Sequence, residues 1–360
     1  MTDADEEIAA LREPLVAWYR ANRRPLPWRS SSDPYAIWVS EVMAQQTRIE
    51  VVVPRWERWL HRFPTVDALA GASLDDVLEE WAGLGYYARA RNLHAAAREV
   101  AASYGGRVPD EPEAVRALPG VGRYTAGAIL SFAFGRRAPI LDGNVTRLLA
   151  RLFRVDGDAK RGATRETLWS LAGRFVADGE PGEVNQALME LGALVCTPRN
   201  PACPECPLAR SCAARRAGDP TRYPAPSRRA KVTAVEQVAV ALRRRGKVLL
   251  ARRPPRGLWG GLLELPTGEP RAGEALDEAA RRVAGERTGL VPVAARPSLR
   301  FTHVLSHRRV TFHGFVADAP AGRVRLAGYD AHRWARPDEA AALGVSRATA
   351  RLMAAVANSH

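Results

Sequence analysis

Four cysteines fall within seventeen residues of this chain, Cys196, Cys203, Cys206 and Cys212, spaced C-x6-C-x2-C-x5-C, and there are no others. A set so tightly grouped suits a metal better than disulfides, because four thiolates can close around one centre. On residue type alone zinc is the default, although the spacing is not the paired C-x2-C of common zinc ribbons. A carboxylate stands out next. Glu41 lies in a helical pattern, Ser40 to Thr47, with Ile37 at i−4 and Trp38 at i−3. Apolar neighbours disfavour the charged form, so such a carboxyl can hold a proton near neutrality, as a general acid must. An exposed helix glutamate fits the same position. Pro119-Gly120-Val121-Gly122 then makes a sharp turn between two helical patterns, and Asp142, twenty-two residues after Gly120, opens a further one. A glycine turn at a helix start aims bare N–H groups at one point, which suits a phosphate. It also serves as a plain helix connection.

These residues need helices to hold them. Ile8 to Tyr19 reads as a first helix. Asp33-Pro34 is an N-cap followed by proline at the first helical position and starts the helix carrying Glu41. Apolar helical patterns recur up to Val195, so residues 1–212 read as all-helical. The small residues Thr125-Ala126-Gly127-Ala128 leave room for another backbone to pack closely. Residues 213–233, rich in Arg, Pro and Ala without an apolar period, read as a linker. From Ala234 the period changes to two. A hairpin is expected at Val235 to Leu242 and Val248 to Ala251, a helix at Leu276 to Thr288, and strands at Ser298 to His303 and Arg309 to Val316. The second domain, 234–360, is therefore of α+β character.

The composition narrows the partners. The 360 residues carry a formal net charge of +14 and a pI of about 10.4, which favours a polyanion such as nucleic acid. Neither a membrane span nor a signal or transit pattern is evident, so a cytoplasmic, nucleoid-associated protein is expected. The lysines are only Lys160, Lys231 and Lys247.

Taken together, the motifs resemble the MutY family of adenine DNA glycosylases, in the endonuclease III-like helix–hairpin–helix superfamily. They are LPW at Leu26–Trp28, SEVM-x-QQT at Ser40–Thr47, GLGYYARARNLH at Gly83–His94, LPGVG-x-TAGAI at Leu118–Ile129, ILDGNV at Ile140–Val145 and the cysteine loop. The resemblance covers nearly the whole chain. It implies a helical glycosylase domain with the helix–hairpin–helix at about 111–134 and a [4Fe–4S] cluster, rather than zinc, on the 196–212 loop. It further implies that Glu41 protonates the leaving adenine and that Asp142 stabilises the sugar cation or attacks it, with Tyr124 and Asn144 in support. Trp28, Arg29 and Gln186 are expected to line the adenine pocket, and Gln46 and Tyr86 to wedge into the base stack. Gly120 and Gly122 are expected to bind a backbone phosphate. Bifunctional relatives carry a lysine at the position of Tyr124, and a lysine amine is what forms a Schiff base. Little or no lyase activity is therefore expected, from a monomer acting on duplex DNA with adenine opposite 8-oxoguanine or guanine.

The second domain resembles a MutT-like (Nudix) fold. Gly268, Glu274, Arg282, Glu286, Gly289 and Leu290 align with the hydrolase box, but Val283 and Arg287 replace two glutamates that would hold Mg²⁺. Loss of two hard oxygen ligands opposes hydrolysis and leaves lesion recognition. The family's Phe-Ser-His recognition loop reads Leu305-Ser306-His307 here. Competing readings are a thymine glycosylase acting on G:T mismatches, a bifunctional endonuclease III, a catalytically silent iron–sulfur DNA-binding protein and a nucleotide pyrophosphatase.

Overall fold

A computed structural model describes residues 3–226, 232–305, 308–341 and 343–358. The chain forms two compact units. One contains the residues up to Gly71 and resumes at Ala95; the other joins Ala72–His94 to the chain beyond residue 231.

The helical unit begins with α1 (Asp3–Asn22), α2 (Pro34–Ala44), α3 (Ile49–Arg62) and α4 (Val66–Gly71). Helix α5 (Leu74–Glu80) belongs to the second unit, and α6 (Ala88–Tyr104) leads back. The hairpin follows as α7 (Pro112–Ala117) and α8 (Arg123–Phe134), then α9 (Gly143–Leu152), α10 (Gly162–Phe175) and α11 (Pro181–Leu194). Helix α2 is buried on every side from Tyr35 to Met43. A helix apolar nearly all round belongs in a core, and this one takes Glu41 with it. Its entry is capped as the sequence predicts: Asp33 accepts from the Tyr35 and Ala36 amides, with Pro34 at the first position. The main core joins α1 (Ile8, Leu15, Tyr19), α9 (Leu148, Leu149), α10 (Phe175) and α11 (Leu188, Leu191).

The 213–226 part of the expected linker is folded onto this unit. Helix α12 (Ala213–Arg216) follows the cysteine loop. Tyr223 is buried in the helical core, and its carbonyl accepts from Arg151 at 3.0 Å. A single aromatic anchor carries no periodicity, which is why composition alone reads this stretch as linker. Residues 227–231 lie outside the described residues.

The second unit is built on a mixed sheet, β1 (Thr233–Arg244), β2 (Lys247–Arg252), β3 (Leu263–Glu264), β4 (Thr267–Gly268), β5 (Arg296–Val304), β6 (Arg308–Asp318) and β7 (Ala331–Ala335). Its order is β3-β2-β1-β6-β5, with β4 paired to β1 and β7 to β2. Strands β1 and β6 run parallel. The period of two decides the faces: Val238, Val240 and Leu242 pack on α13 (Leu276–Thr288), while Ala239 and Ala241 lie with α14 (Arg347–Ala357). The helical stretch 72–94 docks within this unit. The Tyr87 hydroxyl donates to Val345 O at 2.9 Å, Arg91 donates to Gly260 O, and Arg252 pairs with Asp75 at 2.7 Å. Its sequence pattern is that of the helical domain, and nothing in that pattern announces these long-range partners.

Candidate active site

A cleft of about 910 Å³ opens in the helical unit, lined by Trp28, Arg29, Glu41, Gln46, Gly120, Gly122, Tyr124, Asp142, Asn144 and Gln186 among others. It thus gathers residues that are up to 169 positions apart in the chain, from Arg24 to Ala193. Glu41, from α2, is buried, and the Tyr124 hydroxyl of α8 donates to its Oε2 at 2.6 Å. Burial pushes the Glu41 carboxyl up to about 7. The Tyr124 bond opposes this, Asp142 adds to it and Arg29 opposes it again. Burial also raises the Tyr124 phenol well above its usual value, so Tyr124 remains a neutral donor.

Asp142 is the N-cap of α9. It accepts from the Asn144 amide at 2.9 Å, the Val145 amide at 2.7 Å and the Asn144 side chain at 2.9 Å. Burial raises its carboxyl, while these donors and Arg147 pull it back. Burial raises both carboxyls, but Asp142 has three N–H donors at a helix N-terminus to hold its ionised form, and Glu41 a single neutral hydroxyl. The same aspartate is at once cap and site residue.

Gly120 turns with φ +76°, and Gly122 is the N-cap of α8, so the hairpin presents its amides at a helix start. Close approach behind it depends on Gly127: a Cβ there would run into the carbonyl of Pro139. Gln46 adopts φ +55° and Tyr86 φ +47°, left-handed conformations uncommon for such residues. Gln46 lies in the cleft. Tyr86 does not; it is half exposed and belongs to the second unit, with the Arg89 guanidinium over its ring. Leu305 packs against the core on the α14 side of the sheet, and its amide donates to Arg308 O at 2.8 Å. Ser306 and His307 lie outside the described residues.

Several residues in and behind the cleft escape a reading of motifs. Glu190, fully buried on α11, holds Arg29 through bonds of 3.0 and 2.7 Å and Arg24 through bonds of 2.9 and 2.7 Å. Burial alone would raise this carboxyl; the two guanidiniums outweigh it and hold it at about 2. Glu190 lies four residues after Gln186, one helical turn along the same face, and a lone acid in the apolar run of α11 was the available signal. Arg147 joins two parts of the unit: it donates to Asn144 Oδ1 at 2.9 Å and to Cys196 O at 2.6 Å.

The four cysteines line a single, largely apolar cavity with Leu148, Val195 and Arg151, and none is in a disulfide. Burial raises the Cys196 thiol and pushes Cys206 up to about 11, so metal binding must displace these protons. Arg151, buried, donates to Cys196 Sγ at 3.4 Å, which suits an anionic sulfur. Among the described residues no three His, Cys, Asp or Glu converge on a point for one ion. A polynuclear cluster, with one thiolate per iron, fits a ring of donors around a cavity. The loop over residues 196–212, which carries all four cysteines, holds a [4Fe–4S] cluster.

In the second unit Glu274 and Glu286 are both bound by arginine. Arg282 meets Glu274 at 2.6 and 2.7 Å and Glu286 at 2.9 Å, and Arg271 meets Glu286 at 3.0 Å. The bonds from Arg282 hold Glu274 at about 2. Val283 is buried in the α13 core, and Arg287 donates to Thr267 O at 3.1 Å.

Comparison with known proteins agrees with both units. Residues 39–174 match the HhH-GPD superfamily of base excision DNA repair proteins, 196–212 the iron–sulfur binding domain of endonuclease III, and 237–355 the NUDIX domain. The adenine DNA glycosylase of Homo sapiens is 45% identical over 218 residues, 58% of this chain and 40% of that protein. That of Schizosaccharomyces pombe is 30% identical over 381 residues, covering 87% and 82%. That of Buchnera aphidicola (Schizaphis graminum) is 33% identical over 253 residues, covering 70% and 73%. The chain spans half or less of the length of the animal and plant relatives it matches. Among solved structures, a thermostable thymine-DNA glycosylase is similar with a TM-score of 0.55 and 28% identity, over 60% of this chain and all of that one.

Proposed function

Because the chain belongs to the adenine DNA glycosylase family, we propose that it hydrolyses the N-glycosidic bond of adenine mispaired with 8-oxoguanine or guanine in duplex DNA, leaving an abasic site. The observation that carries this reading is the pair of unlike carboxyls in one cleft, Glu41 near 7 and Asp142 capped by three N–H donors.

The chemistry follows from those environments. The base leaves readily only as a neutral species, so it must be protonated on the ring. It must also leave the stack to reach the acid. Glu41, with a value near 7, is partly protonated near neutrality and gives its proton to the flipped adenine; its carboxylate then takes one from the attacking water. Asp142 stays negative and stabilises the sugar oxocarbenium ion, or adds to it transiently. Tyr124 keeps the Glu41 side chain in place. A phenol cannot form a Schiff base, so strand cleavage should follow only from added alkali. The hairpin amides at Gly120 and Gly122 take a backbone phosphate, and Tyr86 and Gln46 enter the stack.

The second unit serves recognition of the oxidised guanine through Leu305, Ser306 and His307. Arginines occupy the carboxylates a hydrolytic metal would need. The protein acts as a monomer in the cytoplasm, on the nucleoid.

The test is single-turnover base release from duplexes with adenine opposite 8-oxoguanine, adenine opposite guanine, and thymine opposite guanine, with and without alkali. Fast adenine loss with strand breaks only after alkali is expected. Thymine loss in its place would overturn the reading.

A further inference from the structure

One wall of the cleft is fixed from behind. Gln186 of α11 lines it, and its Oε1 accepts from the hydroxyl of Tyr19 on α1 at 2.8 Å. Tyr19 is 1% exposed. Its oxygen accepts from Arg23, and its ring lies under the guanidiniums of Arg23 and Arg29, at 5.9 and 5.5 Å. Burial keeps the phenol protonated despite those cations. With its lone pairs turned to Arg23, the hydroxyl has only its proton to offer Gln186. The amide carbonyl is therefore the end that faces Tyr19, and the NH₂ is the end left for a ligand.

Gln186 and Glu41 line the same cleft. Met189, three residues after Gln186, touches the Tyr124 hydroxyl at 3.9 Å, and that hydroxyl holds Glu41. Gln186 thus lies one helical turn from the residue that touches the acid's support, on the wall of the cleft that Glu41 also lines.

We propose that Tyr19 sets base specificity by locking the Gln186 amide so that it offers N–H donors to the Watson–Crick edge of the flipped base. The inference rests on the adenine-releasing reading above. Adenine has an acceptor at N1. Hypoxanthine, the same ring system, has a donor N1–H and a carbonyl at C6. Two donors facing each other leave both unpaired in a buried site, and sites built on such matches reject the wrong pattern strongly. Tyr19 does not touch the base; it is a positioning residue.

The experiment measures single-turnover release of adenine and of hypoxanthine, each opposite 8-oxoguanine, from the wild type, Tyr19→Phe and Arg23→Met. Wild type should prefer adenine by about a hundredfold or more, and Tyr19→Phe should cut that ratio by about tenfold or more as the freed amide turns its carbonyl to N1–H. Arg23→Met, which lets the phenol turn and accept, should shift the ratio the same way by less. A ratio unchanged within about twofold in both variants, with both substrates slowed equally, overturns the proposal and leaves Tyr19 a packing residue. If Tyr19→Phe loses the visible absorbance of the cluster and does not fold, Arg23→Met decides by the same criterion. A wild type that releases adenine but does not prefer it to hypoxanthine also overturns it. A wild type that releases no adenine sinks the underlying reading instead.

Discussion

The cleft of the helical unit and the box of the sheet unit each bring two carboxyls together, and they treat them in opposite ways. In the cleft Glu41 is buried against a neutral phenol, with the nearest guanidinium, Arg29, committed to Glu190. Its proton is therefore held loosely enough to give away near pH 7. In the box Glu274 and Glu286 share Arg282, with Arg271 as a second cation, and Glu274 is locked as a carboxylate. A carboxyl tied to arginine can stabilise a fold but cannot shuttle a proton or spare its oxygens for Mg²⁺. Chemistry depends on leaving one acid without a cation, and only the cleft does so.

The sharpest way to break this contrast is Glu41→Gln. An amide keeps the size and the Tyr124 bond but has no acidic proton, so adenine release should fall by about a thousandfold or more. Stability should move the other way. Glu41 rises on folding from 4.5 to about 7. The folded state therefore binds the extra proton between those values, and the contribution of this group is complete below pH 4.5 and lost as pH rises through 7. At pH 8 the unreplaced carboxylate costs about 3 kcal/mol, so Glu41→Gln should melt higher than wild type there and no higher at pH 4. A variant that loses activity and stability together at pH 8 would break the assignment.

Asp142→Asn comes next. Asparagine caps as well as aspartate, so the melting temperature should hardly change, while loss of the negative charge should slow base release by about a hundredfold or more. The wild-type pH profile completes the pair: the rate should fall about tenfold per unit above pH 7 as Glu41 loses its proton, and Tyr124→Phe should move that limb to higher pH, since the Tyr124 bond lowers the Glu41 value.

Much of this was legible in the sequence, because it depends on local rules. Asp33-Pro34 fixes the start of α2, the period of two divides the faces of β1, and Leu276–Thr288 is a helix from end to end. The apolar neighbours of Glu41 foretell its burial, and the position of Asp142 foretells its cap. What was not legible depends on partners far along the chain. Glu190 meets Arg24 and Arg29 from 166 and 161 residues away, Tyr19 meets Gln186 from 167, and Tyr87 reaches Val345 across 258. Spacing rules for helices and strands carry no information at that range. The Gly127 position falls between: small residues announce a close approach, but only the fold shows that the Pro139 carbonyl makes it. A backbone atom cannot rotate aside, so Gly127→Ala should cost about 1–3 kcal/mol in the helical unit. It should slow base release too, since Pro139 leads directly to Asp142.

The smallest effect belongs to the box. Arg282→Met removes the cation that Glu274 and Glu286 share while keeping much of the side chain's apolar stem. Glu286 is about half exposed, so water and salt screen its pair with Arg282. The melting temperature of the sheet unit should fall by only a few degrees at low ionic strength, and the difference should close in molar salt. Mg²⁺-dependent pyrophosphate hydrolysis should still be absent. Val283 and Arg287 occupy two of the positions where oxygen ligands are needed, and freeing two carboxylates does not supply the missing pair. Hydrolysis by Arg282→Met would mean that arginine pairing alone silences the box, and the contrast between the two acid sites would then rest on a single residue.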